Sequence, residues 1–119
     1  MEQREDIMQL AVTGPWAPAE PLHRRAPARD GEGRPYNDFM MLIPGLRARP
    51  QPALGTVVRE IELTLARFRH LVVFADLNLK LNILWVTVQP GRDVVLRVAA
   101  AIRARVPEAK LVAANHRYI

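Results

Sequence analysis

The sequence contains no cysteine. That excludes disulfides and thiolate chemistry, and it leaves the redox compartment undecided. Aromatic residues make up only 6% of the chain, so its two tryptophans, Trp16 and Trp85, stand out as candidate anchors. Lysine is scarce too: Lys80 and Lys110 are the only two, and arginine supplies the rest of the positive charge. No apolar run reaches membrane-spanning length, because Asp76 and Lys80 interrupt the longest one. The opening segment MEQREDIMQL has no basic region followed by an apolar stretch, so it does not read as a secretory leader. The expectation is a soluble, cytoplasmic chain with no membrane partner.

Catalytic and metal-binding patterns are also missing. His23, His70 and His116 are scattered, without metal-ligand spacing. No Gly-rich phosphate loop is present, and no Ser/His/Asp or paired-carboxylate grouping follows from spacing. The sequence therefore points to no catalytic residue, no metal and no cofactor.

What is present suits one compact domain: 119 residues, of which 50% are hydrophobic and 24% charged. The formal net charge is +5 and is unevenly placed. Residues 1–36 carry five Arg against six Asp and Glu, whereas residues 37–119 carry twelve Lys and Arg against six. A basic domain attracts nucleic acid or acidic ligands. The joint abundance of Ala, Pro and Arg has a plainer reading, a bias in coding composition.

Residues 13–36, dense in Pro, Gly, Ala and charge, read as a linker or tail without a core of its own. Residues 1–12 read as a short helix with little apolar face. The division is a flexible Pro/Arg-rich tail over 1–36 and a domain over 37–119. Trp16, set among prolines, is the tail's candidate anchor for a protein partner.

Within the domain, Asp38 to Ile43 reads as a first strand, ended by Pro44-Gly45. A loop carrying Arg47 and Arg49 leads to a helix over 54–69, with Leu54, Val57, Val58, Ile61, Leu65 and Phe68 at helical spacing. His70 falls at its end, where a cation favours the helix dipole. The stretch LVVFADLNLKLNILWVTVQ, from Leu71 to Gln89, is the most β-prone run. It is long for one strand, so a hairpin breaking near Asp76 to Lys80 is the leading reading, with one long bent strand as the alternative. Asp76, Asn78, Lys80 and Asn82 then form the solvated face and turn of that hairpin. In its second arm, Leu84, Val86 and Val88 share one face, and Leu81, Ile83, Trp85 and Thr87 share the other. Pro90-Gly91 is a second turn, and Asp93 is placed to cap a helix over 92–105. The stripe of that helix is Val94, Val95, Val98, Ala99, Ile102 and Val106, and Pro107 ends it. Ala109 to Ala114 reads as the last strand.

The order is therefore β-α-β-β-α-β: an α+β, ferredoxin-like sandwich with two helices on one face of a four-stranded antiparallel sheet. The alternative is a small α/β layer with one long central strand. The run Val86-Thr87-Val88-Gln89-Pro90-Gly91-Arg92, followed by a helix and Val106-Pro107-Glu108-Ala109-Lys110-Leu111-Val112, resembles the second half of small ligand-sensing modules. These are the ACT domains and the effector domains of leucine-responsive regulators. The resemblance covers about a third of the chain. It implies a ferredoxin-like fold, dimerisation and a small-molecule ligand near subunit contacts.

The leading expectation is a non-enzymatic regulatory or interaction module that forms a homodimer through its sheet face. Leu81, Ile83 and Trp85 would be the contact. Arg47 and Arg49, with Asn78 and Asn82, are the candidates for a small anionic ligand. Two other classes compete. An RNA- or DNA-binding protein with this topology needs aromatics on the open sheet face, but NILWVTVQ lacks the basic-Gly-aromatic pattern of such proteins. A small enzyme would need a site assembled between subunits.

Overall fold

The computed structural model describes residues 10–13, 33 and 35–115. The elements in order are β1 (Ala11–Thr13), β2 (Asn37–Leu42), α1 (Gln51–Arg67), β3 (Val72–Asn78), β4 (Ile83–Val88), α2 (Val94–Arg105) and β5 (Lys110–Asn115). The protein is α+β, and its described residues form a sheet of five strands in the order β1-β3-β4-β2-β5. Four of them pair antiparallel, whereas β1 lies parallel to β3.

The sheet thus corrects the expected four antiparallel strands. The fifth comes from before Asn37: Ala11, Val12 and Thr13 pair with Asp76, Leu77 and Asn78. The short helix expected to reach residue 12 is strand at its described end. Its backbone is taken up by the edge of β3, and Leu10 beside it packs partly buried against the core. Two residues on, Val12 follows it on the same face of the strand. The remainder of 1–36 lies outside the described residues, apart from Gly33, Pro35 and Tyr36.

Asn78 and Asn82 close the β3–β4 hairpin, which removes the reading of one long strand. The Asn78 Oδ1 accepts the backbone N–H groups of Lys80 (2.9 Å) and Leu81 (3.1 Å). Asn82 takes the left-handed backbone that the turn needs, at φ 59°; Asn is among the few non-glycine residues that adopt it readily. The break falls over residues 79–82 and slightly later than expected, so Asp76 belongs to the strand.

Helix α1 begins at Gln51 rather than Leu54. Pro52 occupies its first turn, where a missing N–H costs no intrahelical bond. The Leu54 N–H already reaches the Pro50 carbonyl at 2.9 Å. Helix α2 begins after Asp93, which sits at the cap position with φ 64° but makes no side-chain capping bond. The anticipated side-chain cap is therefore not made; its backbone carbonyl serves instead, accepting the Arg97 N–H at 2.9 Å.

The core lies between the sheet and the two helices. Phe39 and Met41 of β2, Ala75 and Leu77 of β3, and Leu84, Val86 and Val88 of β4 are buried on one sheet face. They meet Val57, Ile61 and Leu65 of α1 and Val94, Val95, Val98, Ala99 and Ile102 of α2. The expected α2 stripe is buried throughout, Val106 included. In α1, Leu54, Val58 and Phe68 are partly buried at the margin. Thr64 is buried among them, and its hydroxyl donates to the Glu60 carbonyl at 2.8 Å, which removes the cost of a buried polar group.

Candidate functional site

The face of the sheet away from the helices is laid out in rungs by the strand register. One rung runs Asp38, Thr87, Phe74 across β2, β4 and β3. The next runs Ala113, Met40, Trp85, Asp76, Ala11 across all five strands. The third runs Lys110, Leu42, Ile83, Asn78, Thr13. Trp85 is therefore flanked by Met40 on one side and Asp76 on the other, near the middle of the face.

Polar order is built around that tryptophan. The Trp85 indole N–H donates to Thr87 Oγ1 at 3.2 Å, and the Thr87 hydroxyl donates to Asp38 Oδ1 at 2.9 Å. Thr87 is 0% exposed. Its one oxygen both accepts and donates, so the indole edge and the carboxylate are held in a fixed relation. Asp76 is also 0% exposed, which overturns its reading as part of a solvated turn. Sequence reasoning missed Asp38 and Thr87 as a pair. They lie 49 residues apart, and only the β2–β4 register brings them together.

A step in side-chain size opens a hollow beside Trp85. On β4 the rung carries an indole, but on β5 it carries only Ala113. The resulting depression, about 160 Å³, is lined by Asp38, Phe39, Met40, Trp85, Ala113 and Ala114. Phe39 and Ala114 face the helices and lend mainly backbone, because successive side chains alternate across a strand. Asp38, Met40 and Trp85, which the register puts on the open face, complete its lining with Ala113.

The residues expected to contact a partner divide. Ile83 and Trp85 are half-buried on the open face, with Met40, Leu42 and Phe74 beside them. Leu81 is not on that face. It lies in the hairpin turn, 60% exposed, because the strand resumes only at Ile83.

The residues expected to hold an anion form a structural junction. The backbone N–H of Arg47 donates to Asn82 Oδ1 at 2.8 Å, and Ile43 N–H donates to the Asn82 carbonyl at 2.8 Å. The Arg47 guanidinium donates to the Lys80 carbonyl at 3.4 Å. The hairpin turn is thereby stapled to the short 3-10 turn at Leu46–Ala48. Arg49 points elsewhere and forms a short ion pair with Glu108, just before β5. That hydrogen bond from Arg49 holds the Glu108 carboxyl below the ordinary glutamate range. Arg47, Asn78 and Asn82 thus come together, and Arg49 is engaged with Glu108.

Other candidates are placed more plainly. His70 is exposed beyond the end of α1. Arg92, Arg97, Arg103 and Arg105 are all exposed, and Arg105 approaches Glu60 at 3.7 Å. Among the described residues no group of His, Cys, Asp or Glu could hold a metal ion. No helix there is long and apolar enough to cross a membrane. Trp16, His23 and His116 lie outside the described residues. Comparison with family models, with curated proteins and with solved structures finds no match to this chain.

Proposed function

We propose that the chain is a non-enzymatic interaction or regulatory module that self-associates through the open face of its sheet. Its core arrangement, β2-α1-β3-β4-α2-β5 with strand order β3-β4-β2-β5, fits a ferredoxin-like sandwich to which β1 adds an edge. That arrangement accords with the resemblance to ACT and leucine-responsive effector domains. Fold alone does not carry a function.

The observation that carries the reading is the apolar group Met40, Leu42, Ile83 and Trp85, adjacent on the face away from the helices and each half-buried. Contiguous apolar surface of this kind marks a contact site. A second copy is the occupant we assign, giving a homodimer. A small anion, if one is the effector, would meet Arg47, because the charge of Arg49 is already matched by Glu108. Nucleic acid fits the open face less well, since Lys110, at the β5 edge, is the one cation among the described residues on its rungs.

The test is the solution mass of the full chain by light scattering after size exclusion, beside that of Ile83→Gln. The expected result is a dimer for the parent chain and a monomer with an unchanged circular dichroism spectrum for the variant. A monomeric parent chain, or a dimer unaffected by Ile83→Gln, overturns the reading.

A further inference from the structure

A groove runs along the helix side of the sheet, between α2 and β5. Its helix wall is Leu96, Ala100, Arg103 and Ala104, its strand wall is Leu111, and buried Met41 lies at its floor. Leu96 is 55% exposed and Leu111 40% exposed, and the small side chains between them leave the space open. The groove measures about 370 Å³, a volume in the range of small-molecule sites. From Leu96 to Ala104 the helix rises about 12 Å, which is the length of a short alkyl chain.

One charge enters this apolar lining. Arg103 and Arg105 stand about 200° apart around the helix. Arg105 turns toward Glu60 of α1, at 3.7 Å, so Arg103 turns toward β5. A helical side chain also leans toward the N-terminus of its helix. That carries the Arg103 guanidinium back over the groove and away from the carbonyls that end α2. Among the described residues, Arg49 and Arg105 meet carboxylates, and Arg103 meets none. Its charge is available to an incoming anion.

The neighbouring edge argues for a small molecule over a peptide. A strand added to β5 needs a continuous row of backbone groups, and the register of β5 breaks between its partners Met40 and Met41. A ligand with an alkyl body and one acidic head needs no such row. Its carboxylate would take two parallel N–H donors from a guanidinium, and its chain would cover the exposed leucines.

We infer that the groove between α2 and β5 binds a linear aliphatic monocarboxylate, with the carboxylate on Arg103 and the chain along Leu96, Ala100, Ala104 and Leu111. The groove lies on the opposite side of the sheet from the self-association face, and the inference does not depend on that reading.

The experiment follows the backbone amide resonances of the isotope-labelled full chain during titration with sodium octanoate at constant ionic strength. Butanoate and hexanoate vary the chain length, and octylammonium chloride reverses the charge of the head. Arg103→Gln and Ala100→Phe alter the site at exposed positions. The expected result is a saturable shift centred on Leu96 to Ala104 and Leu111, with affinity rising about two- to fourfold per added methylene. Reversing the head charge, or Arg103→Gln, is expected to weaken binding by about threefold or more. Ala100→Phe fills the groove and should abolish binding. Absence of saturable binding, shifts centred elsewhere, affinity independent of chain length, equal affinity for octylammonium, or unchanged affinity in Arg103→Gln overturns the inference. Should Ala100→Phe fail to fold, the chain-length series, the head-charge comparison and Arg103→Gln decide the matter.

Discussion

The side-chain carbonyl of Asn82 accepts the backbone N–H of Arg47 at 2.8 Å, across 35 residues of sequence. Asn82 does this from a left-handed backbone at φ 59°. Two separable properties therefore meet in one residue. Asn82→Gly keeps the backbone conformation and loses the hydrogen bond, at a cost of about 1 kcal/mol. Asn82→Ala loses the bond and also bears the left-handed strain of a Cβ, adding about 1–2 kcal/mol. Urea unfolding midpoints should rank parent, then Gly, then Ala. An alanine variant at least as stable as the glycine variant would contradict the turn geometry.

The Arg49–Glu108 pair gives a pH-dependent contribution of known sign. The folded-state pKa of Glu108 is lowered, first by the hydrogen bond from Arg49. A carboxyl depressed in the folded state contributes stability above its unfolded pKa and loses it as pH falls through the folded value. The side chains are 27% and 35% exposed, so solvent screening keeps the coupling to about 0.2–1 kcal/mol. A double-mutant cycle with Arg49→Ala and Glu108→Gln should find that coupling at neutral pH. It should vanish in acid below the ordinary glutamate range and shrink in high salt. A coupling that persists in strong acid would show that the two side chains interact by something other than charge.

The assignment of helix faces is tested by two neighbours on α1. Ile61 is 0% exposed, whereas Leu63 is 50% exposed. Ile61→Ala should cost about 2–5 kcal/mol through lost burial and a cavity. Leu63→Ala should stay within about 0.5 kcal/mol. Thermal unfolding of the two variants reads the difference, and equal effects would mean that the helix is rotated from the position described.

Leu81 and Ile83 should part company in the same way. Leu81 lies in the hairpin turn and Ile83 on the open face. Leu81→Ser is expected to leave both the solution mass and the unfolding midpoint unchanged, the latter within about 0.5 kcal/mol. Ile83→Gln is expected to lower the mass. A mass change in Leu81→Ser would place the turn inside the contact.

Much of this architecture could be read from periodicity. The α2 stripe from Val94 to Val106 and the alternation of β4 both follow from side-chain spacing, and each is buried as its pattern implies. Boundaries were less legible. The start of α1 depended on Pro52 entering the first turn, whereas hydrophobic spacing began only at Leu54. The strand Ala11–Thr13 was illegible, because three residues with one partly buried neighbour, Leu10, carry no periodic signal and gain their partner only from the edge of β3. The Asp38–Thr87–Trp85 chain was hidden for a different reason. It is a product of strand register, and a single sequence does not state which residues of distant strands stand opposite each other. The alternation of β4, carried back to Leu81, runs two residues too far, because β4 starts only at Ile83. Asn78 and Asn82 had already diverted that part of the chain into the turn.

The break in register between β2 and β5 has a consequence for how the molecule behaves at high concentration. Met41 pairs with Leu111 and Met40 with Ala113, so Val112 is the residue without a place in the ladder. Among the described residues, strand β5 is the outer strand on that side of the sheet, and both Leu111 and Val112 are exposed. A flat apolar edge would template fibril growth. The kink at Val112 interrupts the row of backbone groups in mid-strand and twists its halves apart. An incoming strand can follow one half or the other but not the whole. The described edge is thereby blunted by its own geometry and by the charge of Lys110 at its start, without a proline in the strand itself.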